Sequence, residues 1–278
     1  MDIKLIATDV DGTLVADNHL TIPKENIRAF EKAKKEGIIT AISTGRPFSL
    51  AMKENDTLKG VDYMIVSNGA VIVDMKTKKV INSCCIPNDS VKKIVEIFEK
   101  YPLVYEIYAD CKGFITQYTY DHYLDGELPV EFMREYRKLM IVCDSPWDVV
   151  RKYDIEKMNI DYMPEECIAS LKEELSHIPD LVYSAGFEGN LEITAKGADK
   201  GRALKWLCDS LSISQENVMA FGDSGNDITM LRTAGCSYAM SSGSDLAKAA
   251  AKFVTKHGNN EGGVGRTIIE YLEKRRSV

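Results

Sequence analysis

The fold of this chain is decided by the stretch Leu5-Ile6-Ala7-Thr8-Asp9-Val10-Asp11-Gly12-Thr13. It begins as an apolar run, the pattern of a strand buried on both faces, and ends in two carboxylates and a glycine. Because Asp9 and Asp11 are two positions apart, their side chains project to the same side just past the strand. Adjacent carboxylates are stable when a cation lies between them or when one is protonated. The polar segment after this strand is therefore either an active site or a surface turn. A surface turn is common where Asp-Gly follows a strand.

The segment Asp9-Val10-Asp11-Gly12-Thr13 resembles motif I, DxDGT, of the haloacid dehalogenase (HAD) phosphatase superfamily. This resemblance implies three further motifs in order along the chain, each at the end of a strand. A short motif matches by chance often enough that its context has to decide.

The second motif follows a predicted helix over residues 23–36 and a buried strand from Ile38 to Ser43. Strand, helix and strand make a right-handed βαβ unit, so the two strands are parallel and their carboxyl ends share the edge where ligands bind. The second strand ends in Thr44-Gly45-Arg46, where a hydroxyl and free amides can cradle phosphate or simply cap a helix. The resemblance to motif II implies that Thr44 and Gly45 bind phosphate. Arg46 is either an anion contact or the partner of a structural carboxylate.

Motifs III and IV are predicted on the C-terminal part of the chain. Lys200 lies at the start of an amphipathic helix, where a lysine opposes the helix dipole and suggests a nearby anion. Its position resembles motif III, with Lys196 as the alternative. A buried strand from Val218 to Phe221 then ends in Gly222-Asp223-Ser224-Gly225-Asn226-Asp227, which resembles motif IV, GDxxND.

An insert separates the two halves of this α/β pattern. From residue 84 to residue 189, amphipathic helices alternate with short strands, most of the tyrosines occur, and none of the four motifs appears. We expect a separate α+β unit, which by position resembles the type IIB cap of Cof-like HAD proteins. The predicted fold is thus a Rossmann-like parallel sheet, formed by residues 1–83 and 190–278, with this cap inserted.

The amino-acid composition limits the kinds of partner that this chain is expected to bind. The formal net charge of −7 argues against a nucleic-acid surface, and the 278 residues contain no apolar run long enough to span a membrane. The seven cysteines are odd in number and lack CxxC spacing, which is typical of reduced thiols in a cytoplasmic protein. We therefore expect a soluble protein whose ligand is a small molecule.

The resemblance implies a Mg²⁺-dependent phosphate monoester hydrolase acting on small soluble phosphates such as sugar phosphates. It implies that Asp9 attacks phosphorus to form an aspartyl-phosphate, that Asp11 transfers protons, and that the transferring group is held by Thr44, Lys200 and Asn226. Mg²⁺ would be bound by Asp9, Asp11 through its carbonyl, Asp223 and Asp227, an oxygen-rich set that suits this ion.

Two other functions remain open at this stage. A phosphomutase of the same superfamily also uses both aspartates of motif I. A regulatory sugar-phosphate binder is a different class of protein, but it would have no use for a nucleophile and an acid together. Dehalogenases lack an acid at the position of Asp11, so halide release is disfavoured.

Overall fold

The computed structural model describes residues 2–122, 128–184 and 190–276. Within these residues the chain forms 14 β-strands and 11 α-helices, each numbered along the chain. The strands are β1 Leu5–Thr8, β2 Ile39–Ser43, β3 Tyr63–Val66, β4 Val71–Asp74, β5 Lys79–Ser83, β6 Val104–Ala109, β7 Lys112–Thr116, β8 Ile141–Cys143, β9 Ile155–Tyr162, β10 Leu181–Ser184, β11 Leu191–Ala195, β12 Val218–Gly222, β13 Cys236–Ala239 and β14 Phe253–Val254. The helices are α1 Lys24–Lys35, α2 Phe48–Thr57, α3 Asn88–Phe98, α4 Gln117–His122, α5 Val130–Arg137, α6 Pro146–Val150, α7 Glu165–Ser176, α8 Lys200–Ser210, α9 Ile228–Thr233, α10 Asp245–Ala250 and α11 Gly263–Arg276.

The chain divides into two compact units. The first contains Met1–Arg46, Ala51–Asn82 and Asp199–Val278, and the second contains Pro47–Leu50 and Ser83–Ala198. In the part of the chain that the structure describes, no helix combines the length and the apolar character needed to cross a bilayer.

An eight-stranded sheet forms the centre of the first unit. Its strand order is β14-β13-β12-β1-β2-β3-β4-β5, and the six strands from β14 to β3 are parallel. Strand β1 lies between β12 and β2, with Leu5 opposite both Val218 and Ile39. The carboxyl ends of β1, β2 and β12 therefore meet at one edge, which brings motifs I, II and IV together.

Burial explains why these segments form a parallel sheet. All four residues of β1 and all five of β12 are buried, as expected for central strands covered on both faces. On one face Leu5, Ala7 and Ala220 pack against Leu204 and Leu207 of α8. Helix α1 packs against β2 and α11. The predicted α/β class with a parallel sheet is confirmed.

The second unit is built on a six-stranded sheet with the order β10-β11-β9-β6-β7-β8. Its neighbouring strands are antiparallel except β7 and β8, which are parallel. Helices α3 and α7 pack against each other in this unit. This is the mixed α+β composition that the sequence predicts for the insert.

The return to the first unit differs from the sequence-based boundary. The sequence places it at residue 190, but β11 pairs with β9 and β10 in the second sheet, and the first unit resumes at Asp199. The reason is the alternation along β11, where Leu191 and Ile193 flank Glu192, a polar residue that a central parallel strand rarely carries. Residues 185 and 189, where the sequence ends a strand and the insert, lie outside the described residues.

Candidate functional site

Three carboxylates meet at the carboxyl edge of the eight-stranded sheet. Asp9 directly follows β1 and is 5% exposed, while Asp223 and Asp227 follow β12. One carboxylate oxygen from each residue lies within 4.8 Å of the others. Residues far apart in the chain therefore form one compact, oxygen-rich cluster.

Local hydrogen bonds fix these carboxylates. Oδ2 of the fully buried Asp227 accepts the backbone N–H groups of Asp223 at 2.9 Å and of Ser224 at 3.1 Å, which caps the short helical turn after β12. The hydroxyl of Thr13 donates to Oδ1 of Asp223 at 2.8 Å. The two acidic loops are thus tied to each other as well as to the sheet.

Lys200, at the first turn of α8, is fully buried and joins the cluster. Its Nζ lies 2.6 Å from Oδ1 of Asp9 and 2.6 Å from Oδ1 of Asp227. Lys196, the alternative from the sequence, belongs to the second unit, and its Nζ lies 3.9 Å from Oδ1 of Asp180. The structure therefore brings Lys200 to the carboxylates and leaves Lys196 in the other unit.

The protonation equilibria show that this cluster is short of positive charge. Burial, followed by the charge of Asp227, raises the pKa of Asp9 well above its ordinary value, although Lys200 opposes the shift. The same two causes raise the pKa of Asp223 to about 7. Burial alone would lower the pKa of Lys200, but Asp227 and Asp9 outweigh it and raise that pKa. The single ammonium of Lys200 thus offsets the charge of three carboxylates only in part. A small divalent cation fits the remaining oxygen donors of this cluster.

Gly12 allows the motif I loop to approach Asp223 closely. Its φ is +72°, and a Cβ at this position would lie 2.4 Å from Oδ2 of Asp223. Any side chain here would both strain the backbone and displace a carboxylate of the cluster.

Motif II lies at the same edge, after β2. Thr44 is fully buried, its backbone N–H donates to the carbonyl of Ile65 at 2.9 Å, and its Oγ1 accepts the backbone N–H of Arg46 at 3.2 Å. The Thr44 hydroxyl keeps its own proton for donation to an anion. Gly45 is half-buried between these two residues.

Asn226 connects motif IV to the turn after β3. Its Nδ2 donates to Oδ1 of Asn68 at 3.3 Å, and its Oδ1 accepts from Nζ of Lys200 at 3.4 Å. Asn68 has a φ of 57° in that turn, a left-handed conformation that asparagine tolerates well. The structure thus brings Asn68 into contact with a predicted site residue.

Asp11 makes a different set of contacts. Its Oδ2 accepts from Nε of Arg46 at 2.8 Å, and its Oδ1 lies 2.5 Å from Nη2 of Arg46 and 2.6 Å from Nδ1 of His19. Burial would raise the pKa of Asp11, but Arg46 and His19 outweigh it and hold that pKa well below the ordinary range. The carboxyl group is therefore ionised in this arrangement.

Arg46 binds two carboxylates at once. Besides its two bonds to Asp11, its Nη1 donates to Oε1 of Glu54 at 3.1 Å. Of the two roles left open by the sequence, the structure shows the pairing with carboxylates. His19 and Glu54 were missed at that stage, because one lies in a turn and the other inside α2, where no spacing singles them out.

Known proteins resemble this chain over nearly its whole length. A family model described as haloacid dehalogenase-like hydrolase matches residues 6–268. The 5-amino-6-(5-phospho-D-ribitylamino)uracil phosphatase YcsE of Bacillus subtilis (strain 168) is 30% identical over 272 residues, which cover 98% of this chain and 97% of that protein.

Solved structures resemble the whole chain. A haloacid dehalogenase-like hydrolase from B. subtilis matches with a TM-score of 0.83 and 27% identity, covering 96% of this chain and 99% of that one. The HAD subclass IIB sugar phosphatase BT4131 matches with a TM-score of 0.78 and 27% identity, covering 96% of this chain and 98% of that one.

Proposed function

We propose that this chain, which belongs to the haloacid dehalogenase-like hydrolase family and is a phosphatase, hydrolyses small soluble phosphate monoesters with Mg²⁺ through an aspartyl-phosphate on Asp9. The observation that carries the proposal is the cluster of Asp9, Asp223 and Asp227, whose oxygens lie within 4.8 Å of one another beside the buried Lys200. A nucleophile, a cation site and a fixed positive charge are thus supplied at one point.

The first step is attack by a carboxylate oxygen of Asp9 on phosphorus. Phosphoryl transfer depends mainly on positioning and on stabilising charge that spreads over the equatorial oxygens. Lys200 supplies positive charge beside Asp9, while the Thr44 hydroxyl, the Gly45 amide and the Asn226 amide supply neutral donors. These groups hold the phosphoryl group while the bond to the leaving alcohol breaks.

The residues that would hold Mg²⁺ are Asp9, Asp223 and the backbone carbonyl of Asp11, with Asp227 supporting them. When bound, the ion offsets the repulsion between the Asp9 carboxylate and the phosphate. The carboxylate and carbonyl oxygens of this set are the ligands that Mg²⁺ prefers.

Asp11 is the proposed general acid and base. It gives a proton to the leaving oxygen in the first step and takes one from the water that cleaves the aspartyl-phosphate in the second. Water, rather than a second alcohol, accepts the phosphoryl group.

The proposed substrates are phosphorylated sugars or related metabolites. Two relatives support this class, because one is named a sugar phosphatase and the other acts on a phosphorylated ribityl compound. We further propose a cytoplasmic location and no nucleic-acid partner, in keeping with seven free thiols and a net charge of −7.

The test is phosphate release from a panel of sugar phosphates, nucleotide monophosphates and p-nitrophenyl phosphate, with Mg²⁺ and with a chelator. We expect Mg²⁺-dependent hydrolysis of p-nitrophenyl phosphate and of some panel members. Release that is absent for every ester, or undiminished in the chelator, would contradict the proposal. Transfer of phosphate to a second hydroxyl without net release would indicate a mutase.

A further inference from the structure

The orientation of Asp11 does not suit proton donation. Both oxygens of its carboxylate accept hydrogen bonds, from Nε and Nη2 of Arg46 and from His19. A carboxylate whose two oxygens both accept bonds from a guanidinium cannot donate a proton to an ester oxygen at the same time. For acid catalysis, the Asp11 side chain has to leave Arg46.

Leaving Arg46 would ordinarily be costly. The Arg46 residue is 6% exposed, and an arginine of this burial without a partner costs several kcal/mol. Its backbone is held in place, since its N–H donates to Thr44 Oγ1 and its carbonyl accepts the N–H of Ser67 at 2.9 Å. Only the Arg46 side chain is therefore available to adjust.

Glu54 offers this side chain a second partner. It is 1% exposed, and only its Oε1 receives a bond from Arg46, at 3.1 Å. Its Oε2 is buried and has no hydrogen-bond partner among the described residues. Arg46 thus forms a two-bond fork with Asp11 and a single bond with Glu54, and its Nη2 also donates to the carbonyl of His19 at 3.3 Å. The Oε2 of Glu54 can accept a second N–H group.

We propose that Arg46 and Glu54 are positioning residues, which hold Asp11 in a resting orientation and release it for proton transfer as the guanidinium shifts toward Glu54. The inference rests on the proposed function. The guanidinium keeps at least one carboxylate partner in both arrangements, because Glu54 remains when Asp11 turns away.

Asp11 takes up one proton from the solvent when it leaves Arg46, and it gives one back to the solvent at the end of the turnover. Protonated Asp11 gives its proton to the ester oxygen as the phosphorus–oxygen bond breaks, and it regains one from the water that attacks the aspartyl-phosphate. After the alcohol and inorganic phosphate leave, release of that proton returns Asp11 to its bonds with Arg46.

The experiment compares two leaving groups. In Glu54→Gln the guanidinium loses the carboxylate toward which it shifts, so Asp11 is released less readily. We expect kcat/KM for an alkyl phosphate to fall about tenfold, part of the roughly 10²–10⁴-fold contribution of a positioned acid. For p-nitrophenyl phosphate, whose leaving phenolate needs no proton, we expect a fall of less than about twofold.

The pair of variants tests whether Glu54 acts through Arg46. In an Arg46→Gln background, Glu54→Gln should have no further effect on the alkyl phosphate, because the shared guanidinium is absent. Inhibition by inorganic phosphate should be unchanged in Glu54→Gln.

The matched control is Glu36→Gln, which removes another Glu–Arg pair in the same unit, with 2.8 Å between Glu36 Oε1 and Arg276 Nη2. Glu36→Gln should leave kcat/KM unchanged for both substrates.

Equal losses for both leaving groups, no loss for either, or an undiminished Glu54 effect without Arg46 would overturn the inference. Weakened phosphate inhibition would instead indicate that the pair supports substrate binding. If Glu54→Gln does not fold, Arg46→Lys tests the same inference in the opposite direction. An ammonium lacks the fork that binds both oxygens of Asp11, so kcat/KM for the alkyl phosphate should not fall relative to that for p-nitrophenyl phosphate, and a selective fall would overturn the inference. If the unaltered protein hydrolyses neither ester, the proposed function itself fails.

Discussion

The ammonium of Lys200 lies 2.6 Å from Oδ1 of Asp9, although 191 positions separate the two residues. The contact exists because β1 ends beside the first turn of α8, and both side chains are buried where they meet. Lys200 keeps the Asp9 carboxylate partly neutralised, and Asp227, whose Oδ1 also lies 2.6 Å from Nζ, shares the same charge. The charges of Asp9, Lys200 and Asp227 therefore depend on one another.

The first prediction concerns the nucleophile. Asp9→Asn keeps the shape of the side chain but removes the attacking oxygen's charge, so we expect kcat to fall by at least about 10³-fold. Turnover of p-nitrophenyl phosphate checks this, with circular dichroism as a test of folding. Asp209→Asn is the control, because Asp209 pairs with Lys205 on the exposed side of α8, and it should leave kcat unchanged. Full turnover by Asp9→Asn would contradict the assignment.

The second prediction concerns the buried lysine. Lys200→Met leaves Asp9 and Asp227 without their shared cation, and we expect the free energy of unfolding to fall by about 3 kcal/mol at neutral pH without metal. Because a divalent cation bound to the same carboxylates replaces part of the lost charge, Mg²⁺ should recover a large part of that loss. Denaturant unfolding with Mg²⁺ and with a chelator measures both effects.

A matched buried pair in the second unit provides the control for this prediction. Lys157 is 2% exposed, and its Nζ lies 2.5 Å from Oε1 of Glu192. Lys157→Met should destabilise the protein by a comparable amount, but Mg²⁺ should recover none of it. Equal recovery in both variants would show that Mg²⁺ acts elsewhere than at the predicted cluster.

The sequence predicted this cluster because the rules for parallel sheets are strong. Apolar runs ending in Asp9 and Asp223 indicate central strands, and right-handed βαβ connections place their carboxyl ends at one edge. The sequence did not place β11, since an apolar pattern alone does not specify which sheet a strand joins. The one available signal was Glu192, whose polar side chain marks the alternation of an antiparallel strand.

The side chains that contact Asp11 could not be predicted from the sequence. His19 lies in a turn with a φ of 54°, and Glu54 lies within α2, so their contacts depend on side-chain directions rather than on any period in the sequence. Arg46 could be named as a candidate, but the choice between an anion and a carboxylate partner required the coordinates.

The third prediction concerns pH. The pKa of an unfolded aspartate is about 3.9, whereas burial raises the pKa of Asp223 to about 7 and also raises that of Asp9. Between these pH values the metal-free folded protein binds more protons than the unfolded chain, so its stability falls as pH rises. Mg²⁺ binds the ionised carboxylates, and its stabilising effect should therefore grow from about pH 5 to about pH 7 and then level off.

Thermal unfolding with Mg²⁺ and with a chelator, compared at each pH, measures this stabilising increment from Mg²⁺. The contributions of other titrating groups to stability largely cancel in the difference. Asp223→Asn should remove most of the increment, because it loses one ligand and its charge. An increment of the same size at about pH 5 and about pH 8 would contradict the prediction.

The fourth prediction separates backbone strain from crowding at the site by comparing two glycines. Gly12 and Gly37 have φ angles of +72° and +76°, but a Cβ at Gly12 would lie 2.4 Å from Asp223 Oδ2, whereas a Cβ at Gly37 would meet nothing within 4 Å. Each alanine variant should lose about 1–2 kcal/mol of stability from the left-handed backbone. Only Gly12→Ala should displace Asp223, so we expect it to weaken Mg²⁺ binding by about tenfold or more, an effect of about 1.4 kcal/mol. Mg²⁺ titrations of phosphatase activity compare the two variants, and equal Mg²⁺ affinity in both would show that Asp223 does not bind the ion.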